Sequence, residues 1–188
     1  MNIVLIAGSN TGRKTRGAID IAAEAFKDIE SDVDLQVFDL KEIDHQLADG
    51  RNYLDYGGDM TEIASAIMQA DALVIGFPVF QAGIPAALKN VLDLLPRRAL
   101  LNKAVSIIVT AGSNYHQLVA EYQLRPILDY LKAHVVPSYV FINERHFDGG
   151  KIISDDVKLR IHDLARDTLL LGHGLEAMKQ KEEDLLGF

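Results

Sequence analysis

Apolar positions along the chain follow two alternating rhythms. Five short runs are apolar almost throughout and rich in Val and Ile: residues 3–7, 35–38, 72–77, 105–110 and 136–142. Continuous runs of this length suit parallel strands covered on both faces. Between them the period lengthens to that of a helix. Ile19, Ala22, Ala23, Phe26 and Ile29 make one stripe, and Ile63, Ala66, Ile67 and Ala70 a second. Asp59 stands where an N-cap belongs, with Glu62 three residues on. Ile84, Ala87, Leu88, Val91, Leu92 and Leu95 keep helical spacing, with Pro85 in the first turn. Residues 118–131 predict a fourth helix. Val157, Ile161, Leu164, Ala165 and Thr168 predict a fifth, capped at Ser154 or Asp155 and ended by Gly172-His173-Gly174. The remaining tail, with Leu175, Met178, Leu185, Leu186 and Phe188, is expected to dock on this subunit or on another.

Strand and helix alternation predicts an α/β three-layer sandwich around a parallel sheet with right-handed crossovers. Five strands and five helices favour a five-stranded flavodoxin-like sheet of order 2-1-3-4-5, and the whole chain, 1–188, reads as one domain. In such sheets ligands bind beyond the carboxyl ends of the strands, beside strand 1. The loops after strands 1, 3 and 4 are therefore the ones to read. Residues 44–58 form a further long loop, polar and aromatic without periodicity.

The first loop, residues 8–17, holds Ser9, Thr11 and Thr15, the cations Arg13, Lys14 and Arg16, and three glycines. Free backbone N–H groups at a helix start, hydroxyl donors and positive charge suit a phosphate. The spacing matches neither a P-loop nor a dinucleotide fingerprint. The bland alternative is a solvated, capped turn. The second loop, Pro78-Val79-Phe80-Gln81-Ala82-Gly83, is apolar where loops are ordinarily polar. Its free backbone groups and apolar side chains suit a flat heterocycle, or else packing under a neighbouring loop. The third loop carries Gly112, which allows close backbone approach, and Ser113, although a plain strand-to-helix turn also fits. A ligand with a phosphate and a flat ring system fills all three requirements, and FMN is such a ligand.

Charge and composition narrow the classes. A net charge of -8, from 19 Lys+Arg and 27 Asp+Glu, argues against non-specific nucleic-acid binding. There is no cysteine, so disulfides, thiolate zinc sites and cysteine nucleophiles are out. The six histidines have no metal-ligand spacing, and no metal is expected. The N-terminal apolar run is too short for a signal peptide or a membrane span, which predicts a soluble, cytoplasmic protein.

The chain resembles the NADPH-dependent FMN reductase family over about its first 145 residues. The resemblance rests on Gly8-Ser9 with Thr15-Arg16, on PVFQAGIPAALKNVLDLL from Pro78, and on Thr110-Ala111-Gly112-Ser113. Residues 92–103 and 116–128 are most similar to the flavin reductases that serve two-component sulfonate monooxygenases. The resemblance implies FMN and NADPH as cofactors. Ser9, Arg13, Lys14, Thr15 and Arg16 would then lie at the phosphate or the nicotinamide dinucleotide. Pro78, Val79, Phe80, Gln81 and Gly83 would line the ring and ribityl chain, with Gly112 and Ser113 on the third side. It also implies a homodimer or homotetramer, a possible flavin-dependent monooxygenase as partner, and a helical bulge at Tyr122 on the flavin-side interface. Two positions depart from the family's pattern: Phe77 replaces Ser or Thr, and Phe80 replaces Tyr. Hydride transfer between two bound cofactors needs no side-chain acid or base, so no catalytic residue is assigned. An electron carrier or a non-enzymatic flavin-binding protein on the same scaffold is the competing reading.

Overall fold

The computed structural model describes residues 1–186. Four long strands, β1 (Asn2–Ala7), β2 (Asp34–Asp39), β3 (Ala72–Pro78) and β4 (Ala104–Ala111), lie parallel in the order β2-β1-β3-β4. The fifth position is shared by β5 (His134–Val135) and β6 (Val140–Asn143), both parallel to β4, which completes the 2-1-3-4-5 arrangement. Of the continuous run expected at 136–142 only 140–142 is strand, and the first short strand lies wholly before it. Pro137 explains the break, because it brings no N–H to the ladder.

Alternate residues of each strand face opposite layers, as the pleat requires. Ile6, Leu73, Ile75 and Phe77 pack with α2 (Gly58–Gln69) and α3 (Ala86–Leu94), and Val105 and Ile107 join them. Ile3, Leu5, Val74 and Ile108 face α1 (Lys14–Ile29) and α5 (Asp155–Leu186) on the other side. Burying a Leu or Ile is worth about 1.5–3 kcal/mol, so these two apolar layers outweigh any local preference of the loops between strands.

Three local expectations are corrected. The N-cap of α2 is Gly57, not Asp59; Gly57 and Gly58 both have positive φ (72° and 53°) and bring the chain into the helix early. Asp59 accepts instead from the backbone N–H of Asp44, at 2.8 Å, and ties down the long loop. That loop is also held by Asn90, which accepts from the Ala48 N–H (2.8 Å) and donates to the Gln46 carbonyl (2.9 Å).

The helix expected over 118–131 is not regular. Its middle, Ala120–Leu124, is a π segment ahead of α4 (Arg125–Tyr130), and the Arg125 N–H reaches back five residues to the Ala120 carbonyl. Pro126 is the cause: in a regular helix its ring would meet the Tyr122 carbonyl and it supplies no hydrogen. The bulge thus falls at Tyr122, where the resemblance placed it.

Third, Gly172-His173-Gly174 does not end the last helix, which runs unbroken to Leu186. A Cβ on Gly172 would stand 2.8 Å from the Met1 methyl, so the glycine lets the N-terminal side chain pack on the helix. Leu169 and Leu175 are buried on either side, and His173 bonds Glu30 at 2.8 Å. Those contacts outweigh the roughly 1 kcal/mol that a helical glycine costs. At the other end Ser154 is the cap, its Oγ accepting from the Val157 N–H. Of the tail side chains, Leu175 packs on this chain, while Met178, Leu185 and Leu186 are exposed; Phe188 lies outside the described residues.

Candidate functional site

The loops after β1, β3 and β4 meet in one cleft of about 410 Å³ at the carboxyl edge of the sheet. Register explains the meeting. Ala7 pairs with Gly76, and Pro78 with Thr110, so the three strands end nearly level and their loops emerge side by side. Gly8 sharpens the first turn: its N–H bonds the Gly76 carbonyl at 2.6 Å, and a Cβ there would stand 2.8 Å from that oxygen.

One end of the cleft is a set of donors. Thr15, in the first turn of α1, shares a 2.9 Å hydrogen bond with Thr110 of β4; both are buried and both line the cleft. No side chain caps α1, so its first N–H groups remain free for an anion. Gly12, with φ 81°, carries the loop around this end. The three cations sort unequally. Arg13 lines the cleft, and its guanidinium has no ion-pair or hydrogen-bond partner among the described residues. Lys14 also lines it, but its Nζ sits 2.5 Å from the Glu144 carboxylate and 5.3 Å from the centre of the Phe147 ring. Arg16 points elsewhere: its guanidinium bonds Asp20 at 2.7 Å and approaches Asp39 at 3.6 Å. The Asp20 bond raises the Arg16 pKa above its ordinary value. Arg16 does not line the cleft.

The other end is apolar. Pro78, Val79 and Phe80 line it beside Ala111 and Gly112, as the pairing of Pro78 with Thr110 requires. Apart from its chain neighbours, no protein atom lies within 4 Å of where a Gly112 Cβ would stand. A donor set beside a phenyl-bearing loop and a bare glycine fits a phosphorylated flavin.

Several expected residues lie beside the cleft rather than in its lining. Ser9 is 5% exposed, and its Oγ donates to the Thr11 carbonyl while accepting from the Thr11 N–H, so it shapes the loop. Gln81 and Gly83 form the tip of the second loop, Ser113 starts a short 3₁₀ turn, and Tyr122 stands on the π segment. Phe77 is fully buried against the α2–α3 layer, so its departure from the family's pattern belongs to the core. Phe80, 39% exposed, is the departure that reaches the cleft.

A fourth wall was not legible in the sequence. Glu144, Phe147 and Gly150 close the side next to Lys14. They come from a 3₁₀ turn after β6 and a small antiparallel hairpin, β7 (Phe147–Asp148) and β8 (Lys151–Ile152). Its turn is Gly149-Gly150, both at positive φ. His146 anchors the base of this wall, its carbonyl accepting from the Ile153 N–H at 2.9 Å. Burial first, then the cations Arg145 and Arg160, push its imidazole below the ordinary value. The Gly-Gly pair itself, followed by Ile152-Ile153, was the available signal for a turn here.

Fold and cleft together define a flavoprotein of the flavodoxin-like class. A family model for the NADPH-dependent FMN reductases matches residues 1–147. The chain is 32% identical over 178 residues to an NAD(P)H-dependent FAD/FMN reductase of Geobacillus thermodenitrificans, covering 94% of this chain and 96% of that one. It is 30% identical over 148 residues to an FMN reductase (NADPH) of Pseudomonas aeruginosa, covering 78% and 80%. Among solved structures, the apo form of an NADH:FMN oxidoreductase (EMOB) superposes with a TM-score of 0.77 at 28% identity, covering 90% of this chain and 88% of that chain. The chain belongs to the NADPH-dependent FMN reductase family. It is an NAD(P)H-dependent FMN reductase, with FMN and a reduced nicotinamide as its cofactors. No helix among the described residues is long and apolar enough to cross a membrane.

Proposed function

We propose that FMN is an exchangeable substrate of this reductase and that the reduced flavin leaves the cleft for a second acceptor. The observation that carries this is the charge at the donor end. Of three cations in the first loop, Arg13 alone is uncommitted, while Glu144 occupies Lys14 and Asp20 occupies Arg16. One free guanidinium with helix N–H groups and the one O–H that the Thr15–Thr110 pair leaves over holds a phosphate without trapping it. Thr15 and Thr110 orient the phosphate, and Val79, Phe80 and Gly112 bracket the ring. Bound FMN supplies the hydride-accepting chemistry itself. The family resemblance favours free reduced flavin, handed to a flavin-dependent monooxygenase in the cytoplasm, over quinone, azo compound or oxygen as direct acceptors.

Closure of the cleft by a second copy of the chain goes with this reading. Tyr115 (96% exposed), Leu118 and Tyr122 (75% exposed) stand out from the segment beside Phe80. Large apolar side chains left open next to a cleft are the usual mark of a protein interface.

The test is NADPH oxidation in air at increasing free FMN, repeated with NADH. A rate that climbs from near zero and saturates with FMN is the expected result. Full activity without added flavin would mean a resident prosthetic group, and the quinone or azo acceptors would take over.

Glu144 offers a second check. Its carboxylate competes with an incoming phosphate for Lys14 and repels that phosphate. Glu144→Gln is expected to tighten FMN binding several-fold, roughly the 0.5–1 kcal/mol scale of a partly exposed charge pair. Riboflavin, which has no phosphate, serves as the control and is expected to bind equally well to both proteins. Equal FMN affinity in the variant would remove Glu144 from the phosphate end.

A further inference from the structure

The second loop closes in an unusual way. Phe80 and Gly83 exchange both backbone hydrogen bonds, at 3.0 and 2.8 Å, around the two-residue turn Gln81-Ala82. Both turn residues are left-handed, with φ of 47° and 60°. Turns of this type ordinarily place Asn, Asp or Gly there, because a Cβ is disfavoured at positive φ. A left-handed pair of Gln and Ala persists only where the surroundings over-determine it.

The surrounding group is Gln123. Its Oε1 accepts from the Ile84 N–H at 3.1 Å, and its Nε2 donates to the Ala82 carbonyl at 2.8 Å. One side-chain amide thus satisfies a backbone donor and a backbone acceptor on either side of Gly83. Gly83 itself makes the room: a Cβ there would stand 2.8 Å from Gln123 Oε1. The amide reaches across from the π segment, 39 residues away from Ile84 in sequence.

We propose that Gln123 is the positioning residue for the apolar wall of the cleft: its amide locks the left-handed turn after Phe80 and so sets where Val79 and Phe80 stand. The role rests on the reading that this wall receives the flavin ring. It couples the π segment to the cleft through two hydrogen bonds, without Gln123 lining the cleft. It also separates ring recognition from phosphate recognition, since Gln123 lies at the ring end and Arg13 at the phosphate end.

Two measurements test it. The first is hydrogen exchange at the Ile84 amide in protein without flavin, for the wild type, Gln123→Ala and Gln123→Glu. Exchange in Gln123→Ala is expected to be roughly tenfold faster, the loss of one hydrogen bond. Gln123→Glu keeps the acceptor and is expected to retain most of the protection. The second measurement is equilibrium binding of FMN and of riboflavin. Gln123→Ala is expected to raise Kd about tenfold for both flavins equally, because the defect is at the ring, with the thermal midpoint little changed. Gly83→Ala, which displaces the amide by its Cβ, is expected to do the same, and the double variant to be no worse than either single one.

Unchanged Ile84 exchange in Gln123→Ala would overturn the clamp. Faster exchange with unchanged flavin affinity would overturn its positioning role. A loss confined to FMN would assign Gln123 to the phosphate instead and likewise refute the proposal. If the wild type binds neither flavin, the flavin reading of the cleft falls, and the positioning role falls with it; the exchange experiment still decides the clamp.

Discussion

Arg13→Glu is expected to weaken FMN binding by one to two orders of magnitude and to leave riboflavin binding nearly unchanged. Arg13 lines the donor end of the cleft and has no partner among the described residues, so its replacement breaks no internal contact. A hydrogen bond to a charged group contributes about 1.5–3 kcal/mol, and a carboxylate in the same place adds repulsion. The parallel change at Arg16 removes its bonds to Asp20 and Asp39 and is expected to have a far smaller effect on either flavin. Fluorescence titration with the two flavins reads both. Equal losses at Arg13 and Arg16, or a loss for riboflavin, would place the phosphate elsewhere.

Gly8→Ala is the second large effect. The new methyl would stand 2.8 Å from the Gly76 carbonyl and 3.2 Å from the Leu88 side chain. The nearest obstacle is backbone within the sheet, which gives way only by moving β3 or the loop. Overpacking of this kind costs about 1–3 kcal/mol, and the upper end applies here because the Gly8 N–H bond to Gly76 must shift as well. Urea denaturation measures the loss, and FMN affinity is expected to fall with it because Gly8 sets the start of the first loop of the cleft. Gly17→Ala is the contrast. Gly17 lies inside α1, and a methyl there would meet nothing outside its own helix, so that change is expected to stabilise by about 0.5–1 kcal/mol. The same substitution nine residues apart thus carries opposite signs.

The hydroxyls and glycines of the first loop point to an anion because donor chemistry is local: a residue type at a helix start brings its donor with it. Thr15 lines the cleft from the first turn of α1 for that reason. The cations did not behave as a group. Arg13, Lys14 and Arg16 are neighbours in sequence, yet one is free, one is held by Glu144 and one by Asp20. The Lys14 partner lies 130 residues away, on a segment with no strong pattern of its own. Phe77 and Phe80 make the same point. Both replace a hydroxyl residue of the family's pattern, but the pleat of β3 sends Phe77 into the core, while the turn beyond the strand leaves Phe80 at the cleft.

The layers, the order of elements and the three loops at the carboxyl edge are legible along the chain. Each follows from burial of an apolar face with a fixed period, and a period is a property of neighbouring residues. Pro126 and Pro137 likewise acted locally, one widening the fourth helix and one splitting the fifth strand. Only the tertiary structure decided that the last helix passes through Gly172-His173-Gly174, because Met1 packs there from the opposite end of the chain. It alone decided the fourth wall of the cleft and the amide of Gln123 against the second loop. Those contacts join positions from 39 to 171 residues apart, where no local period runs. Their geometry exists only once the sheet has brought the ends of its strands level.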